Sequence, residues 1–288
     1  MPSPQRVLLV HKTGHEDAGR LAGRIHQWLT DQGHLVSMRE AASLDAVPPG
    51  STDAVIVLGG DGTMLGVARM LVGQSVVLAG VNFGRVGFLT AADPENWRPV
   101  LESCLEGRAP MRECSVLAWT VRSEGRPPIS GYAVNDVVLS HGAFSRVVNV
   151  DVRMDGVPLT SVRGDGVVVA TPVGSSGYCI SAGGPLLSPD LDVVVFVPIC
   201  PFLSLAPPAV VPSDRTIVLE LMKGSAECYL TVDGQEGQLL QVGDEVEVRS
   251  LPRALRIVGD DSHFFRRMRM YAAAQIPVDA TGRESDEG

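Results

Sequence analysis

Lysine is almost missing from this chain. The two lysines, Lys12 and Lys223, do not follow a glycine-rich loop, which excludes a G-x-x-x-x-G-K-[ST] phosphate loop. The dinucleotide fingerprint is missing as well: Gly60-x-Gly62 is followed by Leu65 where a third glycine is required, and Gly66 comes one residue late. Cysteine is sparse and scattered. Cys104, Cys114, Cys179, Cys200 and Cys228 form no C-x-x-C, and the six histidines form no H-E-x-x-H. Neither a disulfide framework nor a protein-held structural metal is therefore expected, and the reducing cytoplasm fits best. No apolar run reaches the roughly 18 residues of a membrane span, and the N-terminus lacks a basic-then-apolar leader, so no membrane association is expected. Positive charge is in deficit. A net charge of -9 argues against a nucleic-acid surface, so an anionic ligand must be held locally by amides, arginines or a divalent cation.

What is present changes character near residue 100. Before it, apolar runs at 6–10, 35–38, 53–58 and 76–81 alternate with helical patterns at 15–31 and 64–71, which indicates a parallel sheet with helices on both faces. From about 112 to 258 the pattern becomes short β-rich runs broken by Gly, Pro and Asp: 115–121, 132–139, 147–154, 166–170, 193–197, 216–221, 228–232, 245–248 and 255–258. The expected architecture is an α/β, Rossmann-like N-terminal domain over residues 1–100 and an all-β domain, a layered β sandwich, over residues 101–260. Residues 264–270 read as a short amphipathic helix, and the polar tail 279–288 as disordered.

The most informative segment is Gly59-Gly60-Asp61-Gly62-Thr63, between the 53–58 strand and the 64–71 helix. Glycines let backbone amides approach phosphate oxygens, the helix start adds partial positive charge, and Asp61 either holds a metal or takes a proton. A second strand empties into small residues and hydroxyls at Arg163-Gly164-Asp165-Gly166, then Thr171-Pro172-Val173-Gly174-Ser175-Ser176-Gly177-Tyr178, then Ser181-Ala182-Gly183-Gly184-Pro185. Ser175 and Ser176 are candidate caps of the next helix, and Tyr178 offers a ring for stacking. In the 132–139 run, Asn135 and Asp136 interrupt the apolar pattern, so the pair either meets a ligand or another loop or marks a bulge. Phe88, in Val81-Asn82-Phe83-Gly84-Arg85-Val86-Gly87-Phe88-Leu89-Thr90, either covers an adenine or fills core, and Asp233-Gly234 in Thr231-Val232-Asp233-Gly234-Gln235 reads as a hairpin turn.

Taken in order, G-G-D-G-T, V-N-x-G-x-x-G-F-L-T, N-D, G-D-G-x-x-x-x-T-P-x-G-S-x-x-Y-x-x-S-A-G-G-P and D-G-Q resemble the ATP-dependent NAD kinases over residues 6–270. The resemblance implies a kinase that moves the ATP γ-phosphate to the 2′-hydroxyl of the adenosine ribose of NAD, with Mg²⁺ borne by ATP and no organic prosthetic group. It implies that Asp61 is the general base or metal-linked carboxylate, that Gly60, Gly62 and Thr63 shape the phosphate site, and that Asn135 and Asp136 bond the ribose. Phe88 and Ser176 would contact the adenine half; Asp165, Gly177, Tyr178 and Ser181 would border the nicotinamide or adenine pockets. It further implies a segment at 261–278 that packs back on the first domain, and a homodimer or homotetramer.

Three motifs depart from that family pattern. Asp136 stands where Glu is usual, Ser176-Gly177 where Thr-Ala is common, and Phe202 and Pro207 replace the His and Arg of C-P-H-x-L-x-x-R-P. An acceptor pocket that had lost those donors would favour another nucleoside or pyridine nucleotide over NAD. A nucleotide-binding sensor without catalysis is the alternative of a different class.

Overall fold

The structure, a computed structural model, describes residues 4–83, 87–142, 147–202, 206–225, 227–259 and 268. Apart from Met268, the segment 261–278 and the tail 279–288 lie outside the described residues, as do Arg85 and Val86 of the second motif.

Strand and helix alternate through the first hundred residues as β1 (Arg6–His11), α1 (Glu16–Asp31), β2 (Leu35–Glu40), β3 (Ala54–Leu58), α2 (Asp61–Met70), β4 (Val77–Val81) and α3 (Trp97–Leu105). The four strands are parallel in the order β2-β1-β3-β4. β3 is buried along its whole length, which its unbroken Ala-Val-Ile-Val-Leu run requires of a strand covered on both faces. Val7, Leu9, Ile56 and Leu58 meet the apolar sides of α1 and α3 on one face, while Leu8, Val10, Val55 and Val57 meet Met64, Leu65, Val67 and Ala68 of α2 on the other. The sequence pattern hides α3 because Pro99 interrupts it, but Pro99 falls in the first turn, where a missing amide is tolerated.

The second half contributes β5 (Met111–Ser123), β6 (Arg126–Ala133), β7 (Asp136–His141), β8 (Val148–Met154), β9 (Val157–Gly164), β10 (Gly166–Ala170), a short α4 (Tyr178–Ser181), β11 (Val193–Ile199), β12 (Ala209–Pro212), β13 (Thr216–Leu221), β14 (Cys228–Val232), β15 (Glu236–Leu240) and β16 (Glu245–Val258). An antiparallel sheet of order β12-β11-β10-β7-β14-β15 packs on a second sheet that includes β5, β8, β13 and β16. The core between them holds Leu117, Leu139, Val150, Val169, Phe196, Leu219, Leu230 and Val246, one face of each strand.

The sequence reading does not include β9, β12 or β15, and two of its runs are divided differently in the structure. The 132–139 run breaks into β6 and β7 at Val134-Asn135, because the amides of 134–136 bond to a side chain rather than continue a ladder. The 245–248 and 255–258 runs are a single strand, β16, with an irregularity between Leu251 and Leu255. That strand runs antiparallel to β5 and β13 and then joins the first sheet, parallel to β4 through Arg256 and Ile257. The two halves therefore share a sheet.

Candidate active site

Asp61 is the first residue of α2, with Gly60 in extended conformation as its N-cap, so the helix starts three residues earlier than the sequence pattern shows. Its carboxylate is held by two backbone amides: Phe88 N–H donates to Oδ2 at 2.6 Å and Leu89 N–H to Oδ1 at 3.2 Å. Gly87 makes that approach possible, since a Cβ there would overlap Asp61 Oδ1. Phe88 and Ser176 both line one small cavity of about 20 Å³, with Thr90, Cys114, Val173 and Leu187 among others.

Asn135 and Asp136 are positioned from outside their own strand. Asp233 Oδ1 accepts the amides of Asn135 (2.7 Å) and Asp136 (3.1 Å), and Oδ2 accepts the amide of Val134 (3.1 Å). Oδ2 also takes Nη1 of Arg69, from the last turn of α2, at 2.9 Å. Asp233 and Gly234 form the turn between β14 and β15 with φ of 51° and 64°, the left-handed pair an Asp-Gly hairpin favours. The turn read from sequence is present, and its aspartate also supplies four hydrogen-bond acceptances.

The 171–178 loop is tied to the same place. Thr171 Oγ1 donates to Val134 O at 2.7 Å, its amide donates to Asn135 O at 2.9 Å, and its hydroxyl accepts the Gly174 amide at 2.9 Å. Gly174 lies so close to Asn135 O that no side chain fits between them. Ser175 and Ser176 do not cap α4. Their hydroxyls bond back to Pro172 O and Val173 O within a 3-10 turn, and the N-cap of α4 is Gly177. The Tyr178 amide donates to Asp136, whose carboxyl is nonetheless raised to about 7, first by burial and then by the charge of Asp233.

Two clefts result. One of about 310 Å³ is lined by Asn135, Asp136, Ser140, Tyr178, Thr231 and Asp233 among others. The other, about 430 Å³, is lined by Lys12, Ala41, Ala42, Gly60, Gly62, Thr63 and Gln235 among others. The hairpin tip divides them: Asp233 and Gly234 face the first, and Gln235 faces the second, where its Nε2 donates to Gly62 O at 2.6 Å.

The N-terminal domain model of the ATP-NAD kinases matches residues 41–109 and their C-terminal domain model residues 134–259. The NAD kinase of Nitratidesulfovibrio vulgaris (strain Miyazaki F) is 40% identical over 268 residues, 91% of this chain and 94% of that protein. The chain belongs to the NAD kinase family. A second relative, from Oleidesulfovibrio alaskensis, is 40% identical over 95% of the chain and 94% of its own length. Among solved structures, an Archaeoglobus fulgidus NAD kinase in complex with ATP aligns with TM-score 0.74 at 27% identity, over 93% of this chain and 99% of that one. Yeast NADH kinase complexed with NADH shares the fold, with TM-score 0.85 at 24% identity, over 98% of this chain and 91% of that one.

Within this NAD kinase fold not every expected site residue converges. Asp165 precedes β10 and the 171–178 loop follows it, so the strand holds them about 17 Å apart at ~3.3 Å per residue. Ser181 is exposed at the end of α4 and lines neither cleft. Phe202 and Pro207 are also exposed and away from both clefts; the Arg163 guanidinium lies 5.8 Å from the Phe202 ring. Arg69, Thr171, Gly87 and Gln235 escaped the sequence reading as site residues. Arg69 carries no local signal, whereas Gly87 and Gln235 were visible as motif members without a stated task.

Proposed function

We propose that the chain transfers the γ-phosphoryl group of ATP to the 2′-hydroxyl of the adenosine ribose of NAD, giving NADP and ADP. The observation that carries this is 40% identity over 91% of the chain to a protein named NAD kinase. In this reading Asp61 takes the hydroxyl proton. Each carboxylate oxygen has a second lone pair, so the amides that orient Asp61 leave it able to accept. Asn135 and Asp136 hold the ribose, Tyr178 covers the cleft wall, and Gly60, Gly62 and Thr63 border the donor phosphates. Phosphoryl transfer asks for positioning and charge neutralisation more than covalent chemistry.

Among the described residues no three His, Cys, Asp or Glu side chains converge as a metal-binding group. Mg²⁺ would be carried by the ATP phosphates, as it commonly binds through substrate phosphates plus one or two carboxylates. The ion would neutralise charge on the transferring group. No helix of the described residues is long and apolar enough to cross a membrane, and the free cysteines suit a reducing cytoplasm. A homodimer or homotetramer is the assembly in which Asp165 could reach a nucleotide on another subunit; light scattering checks it, and a monomer at micromolar concentration would remove the idea. The proposed domains are residues 1–100 and 101–260, with α3 and the end of β16 crossing between them.

The test is direct. Purified protein is incubated with ATP, Mg²⁺ and, separately, NAD, NADH, nicotinamide mononucleotide and adenosine, and products are identified by mass. Formation of NADP as the main product supports the assignment; turnover of another acceptor with none of NAD overturns it.

A further inference from the structure

We propose that Lys12 binds the terminal phosphates of the phosphoryl donor. The order β2-β1-β3-β4 places β1 beside β3, yet the chain leaves β1 through α1 on one face of the sheet and leaves β3 through α2 on the other. Connections that part in this way open a crevice at the carboxyl ends of the two strands, where sheets of this class take ligands. Here that crevice is the cleft of about 430 Å³ with Lys12, Ala41 and Ala42 on one side and Gly60, Gly62 and Thr63 on the other.

Lys12 follows β1 directly, and its amide donates to Leu58 O at 2.9 Å, which fixes its backbone beside the start of the glycine turn. Among the described residues it is the one charged residue of that cleft lining. Among the described residues no carboxylate is paired with it. Asp61, the acid at the head of α2, is turned instead toward the amides of Phe88 and Leu89. The first amides of a helix lack intrahelical acceptors and favour an anion, so Gly60, Gly62 and the start of α2 present donors from one wall while Lys12 presents a cation from the other. An ammonium on a flexible stem acts as a point charge toward phosphate oxygens. In a chain with two lysines, one of them stands at the point where a triphosphate needs neutralising.

The inference rests on the kinase reading, and the experiment separates the two. ATP and AMP binding to the full chain and to Lys12→Met and Lys12→Arg is titrated calorimetrically with Mg²⁺ and without acceptor; KM for ATP and for NAD is measured in parallel. Lys12→Met should weaken ATP binding and raise its KM by about tenfold or more, the size expected for loss of a charge-assisted contact. AMP binding and KM for NAD should stay within about twofold, and Lys12→Arg should restore most ATP affinity. Equal ATP affinity in parent and Lys12→Met, or an equal loss for AMP, overturns the assignment. Absence of NADP formation by the parent would defeat the kinase reading alone, because the titration reads the Lys12 contact without an acceptor.

Discussion

Arg69 Nη1 donates to Asp233 Oδ2 at 2.9 Å, joining the last turn of α2 to the β14–β15 hairpin, with the two side chains 13% and 0% exposed. The helix that begins at Asp61 is thereby locked to the residue that places Asn135 and Asp136. Removing one member of a buried ion pair costs about 3–5 kcal/mol because the other charge is left alone. Arg69 keeps a second partner in Glu236 at 2.7 Å, but Asp233→Ala also leaves the amides of Val134, Asn135 and Asp136 without their acceptor, so it should lower unfolding free energy by at least the upper end of that range. Urea unfolding of Asp233→Ala, Arg69→Met and the double variant checks it; strictly additive losses would show that the pair is not coupled.

Gly87→Ala is expected to lower kcat by about 100-fold through displacement of the Asp61 carboxylate, a loss of the size that small misplacements of reacting groups cause. Affinities for ATP and NAD should change little. Unchanged kcat would mean that Asp61 does not need its present orientation.

Asp61→Asn removes the proton acceptor and keeps the shape. Turnover should fall by about 10² to 10⁴, the range for a general base, while calorimetric binding of NAD stays near the parent value. Near-parental turnover would remove Asp61 from that role.

The glycine turn, the α/β alternation and the Asn135-Asp136 interruption were legible because each is a local departure from pattern: glycines where a strand ends, polar residues where a strand should be apolar. Asp233 was legible only as half of an Asp-Gly turn, since its bonds go to amides of Val134, Asn135 and Asp136 about a hundred positions away. Arg69 was invisible for the same reason, as its partner lies 164 positions on. β6 was read only at its last two residues, and β9 not at all, because most of their residues are exposed, which leaves no alternation to read, and β16 looked like two strands because its irregularity falls at Pro252. Local chemistry marks ligand-facing residues, whereas residues that hold them act through contacts the chain makes only after folding.

Burial and the Asp233 charge raise Asp136 from 3.8 to about 7, with the Tyr178 amide opposing. Between those values the unfolded chain releases this proton while the folded chain retains it. Stability attributable to Asp136 is therefore greatest at low pH, declines from about pH 4 to about pH 7, and is constant above. Calorimetry on Asp136→Asn should show its Tm gaining on the parent as pH rises through that window; a Tm difference independent of pH would contradict the assignment.

Phe202→His should leave kcat/KM for NAD within about twofold of the parent, the ordinary tolerance of an exposed site away from special features. A gain of tenfold or more would show that this loop reaches the acceptor after all.

β16 gives the chain an unusual dependence on its own completion. The strand that closes the free edge of β4 comes from residues 256–257, and Val258 enters the core beneath α1 and α3. During synthesis the glycine turn, Asp61 and α2 emerge early, yet their sheet keeps an open edge until Arg256 and Ile257 have left the ribosome. Contacts of such long sequence separation form late and slow the search for the native state. A chain halted before β16 thus leaves the β4 edge of that sheet unpaired, the kind of open edge that invites association with another chain.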